Sequence, residues 1–276
     1  MDKENTSPIF VGGMFKSGTS LLRAMLGNHS LLASGLETYW FEIDWCNLKS
    51  RHSTSRLEIL KKFYDIDNDD FNKIIGESVS SANFLDNLMR FWMLRLDKTR
   101  WVEKTPGNIH HIEKILNYWP EATIIHIIRD PRDIFASLKE AKKWDSVDEF
   151  IERWAPLFNS LNEIKKDFTN LNNSYFEIRY EDLVSDPKRV MRNISGYLGI
   201  PFEIETANFM GDSNDFEKVK KITGKESTTL KRLSNPIESN RVGIWEKTVT
   251  INEIALIEQK LSNMGLIDTY REVCFK

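Results

Sequence analysis

The sequence predicts an α/β domain in which a parallel sheet is flanked by helices, built as one domain with helical insertions. Three observations lead there. Short apolar runs that read as buried strands recur at Pro8 to Gly13 (PIFVGG), Ala122 to Ile128 (ATIIHII) and Tyr175 to Tyr180 (YFEIRY). Each is followed by apolar residues at helical spacing, and strands that alternate with helices make a helix-covered parallel sheet. The length of 276 residues, with 41% hydrophobic and 29% charged, suits one large domain with a real core.

In chain order, the first strand closes on two glycines and Met14 to Ser20 form a tight loop. Leu21, Leu22, Met25 and Leu26 then recur with helical period, so a helix starts near Gly18 to Ser20. A stretch rich in Trp, Phe and Leu over 54–97 reads as a helical insertion, and Trp101-Val102 as a short strand ending at Lys104. The run Ala122 to Ile128 ends in Arg129-Asp130-Pro131 and passes into a helix through Ile134, Phe135, Leu138 and Ala141. A second helical insertion covers 146–170. After Tyr175 to Tyr180 come Glu181-Asp182-Leu183 and a helix from about Pro187 to Leu198. The segment 211–240 is polar and lysine-rich, and is expected to be a mobile surface loop. Repeats and linkers are lacking, so residues 1–276 are read as a single domain.

The net charge of −3 gives no global field for nucleic acid or an anionic membrane, so an anionic ligand must be met by a local cluster. Cys46 and Cys274 stand far apart, outside any metal-ligand spacing, and are expected to be buried free thiols. No metal site is expected. Met1 to Pro8 has neither the basic nor the apolar region of a signal peptide, and no run of 18 apolar residues exists. A cytoplasmic protein without a membrane span is the simplest expectation.

The loop Gly12-Gly13-Met14-Phe15-Lys16-Ser17-Gly18-Thr19-Ser20 lies between a strand and a helix. A helix N-terminus offers free N–H groups and the positive end of the dipole to an anion. Glycine allows close approach, Lys16 adds charge, and Thr19 and Ser20 add hydroxyls. A glycine-rich turn with a capping Ser or Thr would read the same way. A Walker A loop needs lysine just after its last glycine, whereas Lys16 precedes Gly18 by two residues.

This order of basic residue, Ser, Gly, Thr, Ser and Leu-Leu resembles the 5′-phosphosulfate loop of sulfotransferases that use 3′-phosphoadenosine 5′-phosphosulfate. Ile128-Arg129-Asp130-Pro131-Arg132-Asp133 with Ser137 resembles their 3′-phosphate motif. Arg179-Tyr180-Glu181-Asp182-Leu183 with Asp186-Pro187, and Arg241-Val242-Gly243-Ile244-Trp245, are also similar to family segments. The likeness runs in order from Pro8 to about Leu261. Gly35-Leu36-Glu37-Thr38 and Lys104-Thr105-Pro106 bring it nearest to the protein-tyrosine and bacterial members.

The resemblance implies a P-loop-like fold and a sulfotransferase. Its co-substrate would be 3′-phosphoadenosine 5′-phosphosulfate, its product 3′,5′-adenosine bisphosphate, and its partner an acceptor hydroxyl or amine on a small molecule, glycan or peptide. Lys16 and the backbone of Ser17, Gly18, Thr19 and Ser20 would hold the 5′-phosphosulfate. Lys104 would face the transferred sulfonate; a surface lysine before a Thr-Pro turn is the plainer alternative. Glu37 would be the general base if burial raises its pKa, with His110 or His111 as the substitute. Arg129, Ser137 and Arg241 would bind the 3′-phosphate, and Tyr180 would flank the adenine. Asp182 and Trp245 are read as structural. The aromatics Tyr39, Trp40, Phe41, Trp45, Phe91 and Trp92 read as core rather than as an acceptor pocket. The rivals are a nucleotide kinase or other P-loop phosphotransferase, and a non-catalytic nucleotide-binding protein of the same fold.

Overall fold

The structure is a computed structural model that describes residues 6–42, 51–143, 146–166, 174–212 and 214–275. Its first unit is β1 (Ile9–Gly12), α1 (Thr19–Gly27) and β2 (Leu32–Ser34). Three helices follow: α2 (Arg51–Phe63), α3 (Asn68–Gly76) and α4 (Ser81–Arg95). Next come β3 (Arg100–Lys104), a 3-10 turn (Pro106–His111), α5 (Ile112–Tyr118), β4 (Thr123–Ile128) and α6 (Pro131–Glu140). The long α7 (Val147–Lys166) leads to β5 (Tyr175–Arg179), α8 (Tyr180–Ser185), α9 (Pro187–Leu198) and the short α10 (Ile204–Ala207). The chain ends in α11 (Asn214–Thr223), α12 (Thr228–Leu233), α13 (Trp245–Thr248), α14 (Ile251–Asn263) and α15 (Ile267–Phe275).

The strands form a parallel sheet in the order β2-β3-β1-β4-β5. Successive side chains alternate between faces. Phe10, Trp101 and Ile124 therefore join one core, with Phe135 and Trp154, while Ile9, Val11, Val102, Ile125 and Ile127 join the other, with Leu22, Met25 and Met191. Burial on both faces explains why β1 and β4 read as nearly continuous apolar runs. The chain steps outward from β1 to β2 and later crosses to β4 on the other side. That reversal of direction leaves a crevice at the C-terminal edge, where open α/β sheets take their ligands.

Segment 211–240 departs from expectation, because it carries α11 and α12 rather than a loop. Phe216, Val219 and Ile222 make a narrow apolar stripe, with Phe216 and Leu233 buried. Polar residues around that stripe masked it in the sequence. Ser227 caps α12 by accepting from Leu230 N at 3.3 Å. Cys274 is a half-buried rather than a buried thiol, 3.8 Å from Asp130, and Cys46 lies outside the described residues. Among the described residues no helix is long and apolar enough to cross a membrane.

Candidate active site

A cleft of about 560 Å³ opens at the C-terminal edge of the sheet. Every strand delivers a residue to it from its own end or just beyond. Lys16, Gly18, Thr19 and Ser20 follow β1, Glu37 follows β2, Lys104 closes β3, Arg129 follows β4 and Tyr180 follows β5.

The loop after β1 is shaped by three residues with positive φ: Gly13 at 154°, Lys16 at 70° and Gly18 at 103°. A left-handed lysine is strained, and such strain collects at functional sites. Gly18 precedes α1 without a capping side chain, and a Cβ there would lie 2.5 Å from the Tyr180 ring. The first N–H groups of α1 have no partner within the helix. Ser17 stands apart from this function. Its N–H closes a turn on Met14 O at 3.0 Å, and its hydroxyl is buried without a partner, so it shapes the loop rather than facing the cleft.

Lys16 has no ion-pair partner among the described residues. Burial, and then the neighbouring cations Lys143, Arg232, Arg241 and Arg129, lower its pKa. Such a gathering of cations, with Lys16 itself unpaired among the described residues, is an arrangement that awaits an anion. Beside them, the buried Arg129 Nε has no hydrogen-bond partner. These donors suit the two phosphates and the sulfonate of the nucleotide that the loop motif implies.

Lys104 is 3% exposed and donates to Ser20 Oγ at 3.1 Å and to Glu37 Oε1 in a very short ion pair. Glu37 Oε2 accepts from the Tyr39 hydroxyl, and its carbonyl accepts from Arg56. The expected rise in the Glu37 pKa does not occur. Burial pushes it up, but the Lys104 ammonium, its hydrogen bond and that of Tyr39 outweigh burial and hold it below the usual carboxylate value. His110 and His111 lie in the turn after β3 and are not among the cleft-lining residues.

Ser137, on α6, and Arg241 meet as the motifs imply, with Arg241 Nη2 donating to Ser137 Oγ at 3.2 Å. Asp133 makes this possible by accepting from Gly243 N at 2.9 Å and Trp245 N at 3.0 Å, which docks the 241–245 turn on α6. Arg129 is placed differently from expectation. Its two terminal nitrogens donate to Lys16 O at 2.8 Å and to Arg241 O, and it is loosely paired with Asp133 at 3.7 Å. It stitches the loop after β1 to the 241 turn while lining the cleft. Tyr180 lies beneath Gly18 with the Arg129 guanidinium 4.4 Å from its ring centroid, so one ring face is already used. Asp182 pairs with Arg189 on the surface.

Several participants escaped the sequence reading. Glu103 is fully buried and accepts from Thr38 N at 3.0 Å, Thr38 Oγ1 at 2.8 Å, Thr105 Oγ1 at 2.7 Å and Asn108 Nδ2 at 2.5 Å. It ties the Glu37 turn to the end of β3. A charged Glu-Lys pair in a strand between Trp101-Val102 and Thr105-Pro106 was the available signal, since buried charges must be partnered. Arg23 on α1 holds Asp215 of α11 at 2.6 Å, so 211–240 lies over the cleft and lines it through Val219, Leu230, Arg232 and Ile237. Of the aromatics read as core, Tyr39 lines the cleft and Trp40 is buried against Phe84, while Trp45 lies outside the described residues.

A family model described as "Sulfotransferase family" matches residues 8–204. The omega-hydroxy-beta-dihydromenaquinone-9 sulfotransferase Stf3 of Mycobacterium tuberculosis is 29% identical over 112 residues, 35% of this chain and 28% of that protein. Protein-tyrosine sulfotransferase A of Caenorhabditis elegans is 26% identical over 211 residues, 72% of this chain and 51% of that protein. The alignments thus take in about a quarter to a half of these relatives' own length. In fold, the sulfotransferase domain of the Synechococcus PCC 7002 olefin synthase is similar, with a TM-score of 0.67 at 19% identity over 94% of this chain and 97% of that one.

Proposed function

This chain belongs to the sulfotransferase family, and we propose that it transfers a sulfonate group from 3′-phosphoadenosine 5′-phosphosulfate to an acceptor hydroxyl or amine. The observation that carries the reading is the chain Ser20–Lys104–Glu37, set in one cleft beside the cations gathered around Lys16. The co-substrate supplies an activated sulfonate on a good leaving group, the bisphosphate. Catalysis is then mostly positioning and neutralisation of developing charge.

Lys16 and the first N–H groups of α1 hold the 5′-phosphosulfate, and Arg241 with Ser137 hold the 3′-phosphate. Arg129 fixes the backbone of both groups. Lys104 has three donors, two of them given to Ser20 and Glu37, and the third serves the sulfonate. As the acceptor oxygen bonds to sulfur, the bond from sulfur to the 5′-phosphate oxygen breaks. The acceptor proton passes to Glu37, which is held ionised by Lys104, and 3′,5′-adenosine bisphosphate leaves. The acceptor approaches past Tyr39, Arg56 and Ile59, which line the cleft around Glu37.

The test is transfer from sulfur-35-labelled donor to a panel of phenols, alcohols, amines and tyrosine peptides. Wild type should label at least one acceptor, and Lys16→Ala should lower turnover by about 10²–10³-fold, as expected for one lost transition-state donor. Lys16→Ala turning over like wild type at saturating donor would contradict the assignment.

A further inference from the structure

Glu140 is the last residue of α6, where a carboxylate faces the negative end of the helix dipole. Two arginines hold it there. Arg241 Nη2 donates to Oε2 at 2.6 Å and Nη1 to Oε1 at 3.3 Å, while Arg232 of α12 stands 3.8 Å away. These are two of the cations gathered around Lys16, and the same Arg241 Nη2 also serves Ser137. Of the five N–H donors that an arginine carries, Glu140 therefore takes one from each terminal nitrogen. The hydrogen bond from Arg241 keeps the Glu140 pKa low, so the carboxylate is charged at neutral pH. Its side chain remains 34% exposed at the rim, open to displacement by a stronger anion.

We propose that Glu140 sets nucleotide affinity as a built-in counter-anion, competing with the 3′-phosphate of 3′,5′-adenosine bisphosphate for Arg241 and Arg232. This rests on the proposed function, since it takes Arg241 and Ser137 as the 3′-phosphate subsite. When the bisphosphate binds, the phosphate draws Arg241 from Glu140. When it leaves, Glu140 takes the arginine back and no uncompensated cation is exposed. Tight product is thereby kept releasable. The same contact joins α6 to α12, so nucleotide binding and the placement of the 211–240 cover are coupled through one carboxylate.

The experiment is calorimetry and stopped-flow dissociation on wild type, Glu140→Gln and Glu140→Ala, using 3′,5′-adenosine bisphosphate and adenosine 5′-monophosphate as probes. Both variants should bind the bisphosphate about three- to tenfold more tightly, the scale for removing one partly exposed competing charge. Its dissociation should slow by a similar factor, and monophosphate affinity should stay within about twofold, because that ligand has no 3′-phosphate to compete. Unchanged or weaker bisphosphate binding in the variants would make Glu140 a strut that orients Arg241 and would overturn the proposal. A wild type that binds both probes equally would overturn the subsite itself, and is told apart from the first failure because no variant is needed to see it.

Discussion

Glu37 carries a donor on each oxygen, and this sets how it would work as the proposed base. Lys104 on Oε1 and Tyr39 on Oε2 hold the carboxylate ionised, with its pKa below the usual value. A depressed carboxyl stays in its base form as pH falls, so the rate should lose its acid limb from the neutral range. The fall should come below about pH 4.3, the ordinary glutamate value, and the stability supplied by the pair should be lost in the same acid window. A pH–rate profile with an acid limb near pH 6 would contradict this. Glu37→Gln should cut turnover by at least about 10²-fold while leaving bisphosphate affinity intact. Glu103→Gln should cost about 1–3 kcal/mol in stability by unbalancing a fully bonded buried carboxylate, read by denaturant unfolding. It should also slow turnover with little loss of nucleotide. Arg129→Met should weaken bisphosphate and monophosphate alike, because the arginine bonds the backbone at Lys16 and Arg241, one in each proposed subsite. That Lys16, Glu37 and Lys104 share one cleft was legible from motif order. The direction of the Glu37 shift and the commitment of Arg129 were not, because both depend on partners 67 and 112 residues distant in the chain.

Elements follow a similar division. β1 and β4 were legible because both their faces are buried, which leaves continuous apolar runs, whereas the half-exposed edge strand β5 showed itself through Tyr175, Phe176 and Ile178. β2 spans only Leu32–Ser34, too short for any period to show, yet it delivers Glu37 to the cleft. Helices α11 and α12 were hidden by their polar faces, and their place is set by distant partners such as Arg23 and Asp215. Asp215→Asn should therefore raise amide exchange over 214–223, lowering its opening free energy by about 1.5–3 kcal/mol, the worth of a charged hydrogen bond. The sheet strands should be unaffected, and uniform exchange changes would argue against a separately held cover. In the loop after β1, Gly18→Ala meets both a left-handed backbone and the buried Tyr180 ring. It should lose about 1–2 kcal/mol from conformation alone and abolish measurable bisphosphate binding.

At the scale of the molecule, one architectural fact organises the chemistry: five strand ends converge on one cleft, and the 241 turn closes it from the far end of the sequence. Motifs scattered between Gly12 and Trp245 become neighbours because the strands are laid down first on one side of β1 and then, from β4, on the other. Their order was legible in the sequence, whereas the cover over the cleft and its internal counter-charges arise only from tertiary contact. The proposed function requires this cleft to recognise a 3′-phosphorylated adenine nucleotide for sulfonate transfer. Recognition of the 3′-phosphate by Arg241 and Ser137 is its most specific part. The direct measurement is calorimetric binding of 3′,5′-adenosine bisphosphate, adenosine 5′-monophosphate and ATP with Mg²⁺ to wild type and Arg241→Met. Wild type should prefer the bisphosphate by at least about tenfold, and Arg241→Met should raise its Kd about 10–100-fold, the worth of one or two charge-assisted hydrogen bonds. Monophosphate binding should hardly change. Wild type that binds ATP with Mg²⁺ as tightly as the bisphosphate, with no gain from the 3′-phosphate, would contradict it.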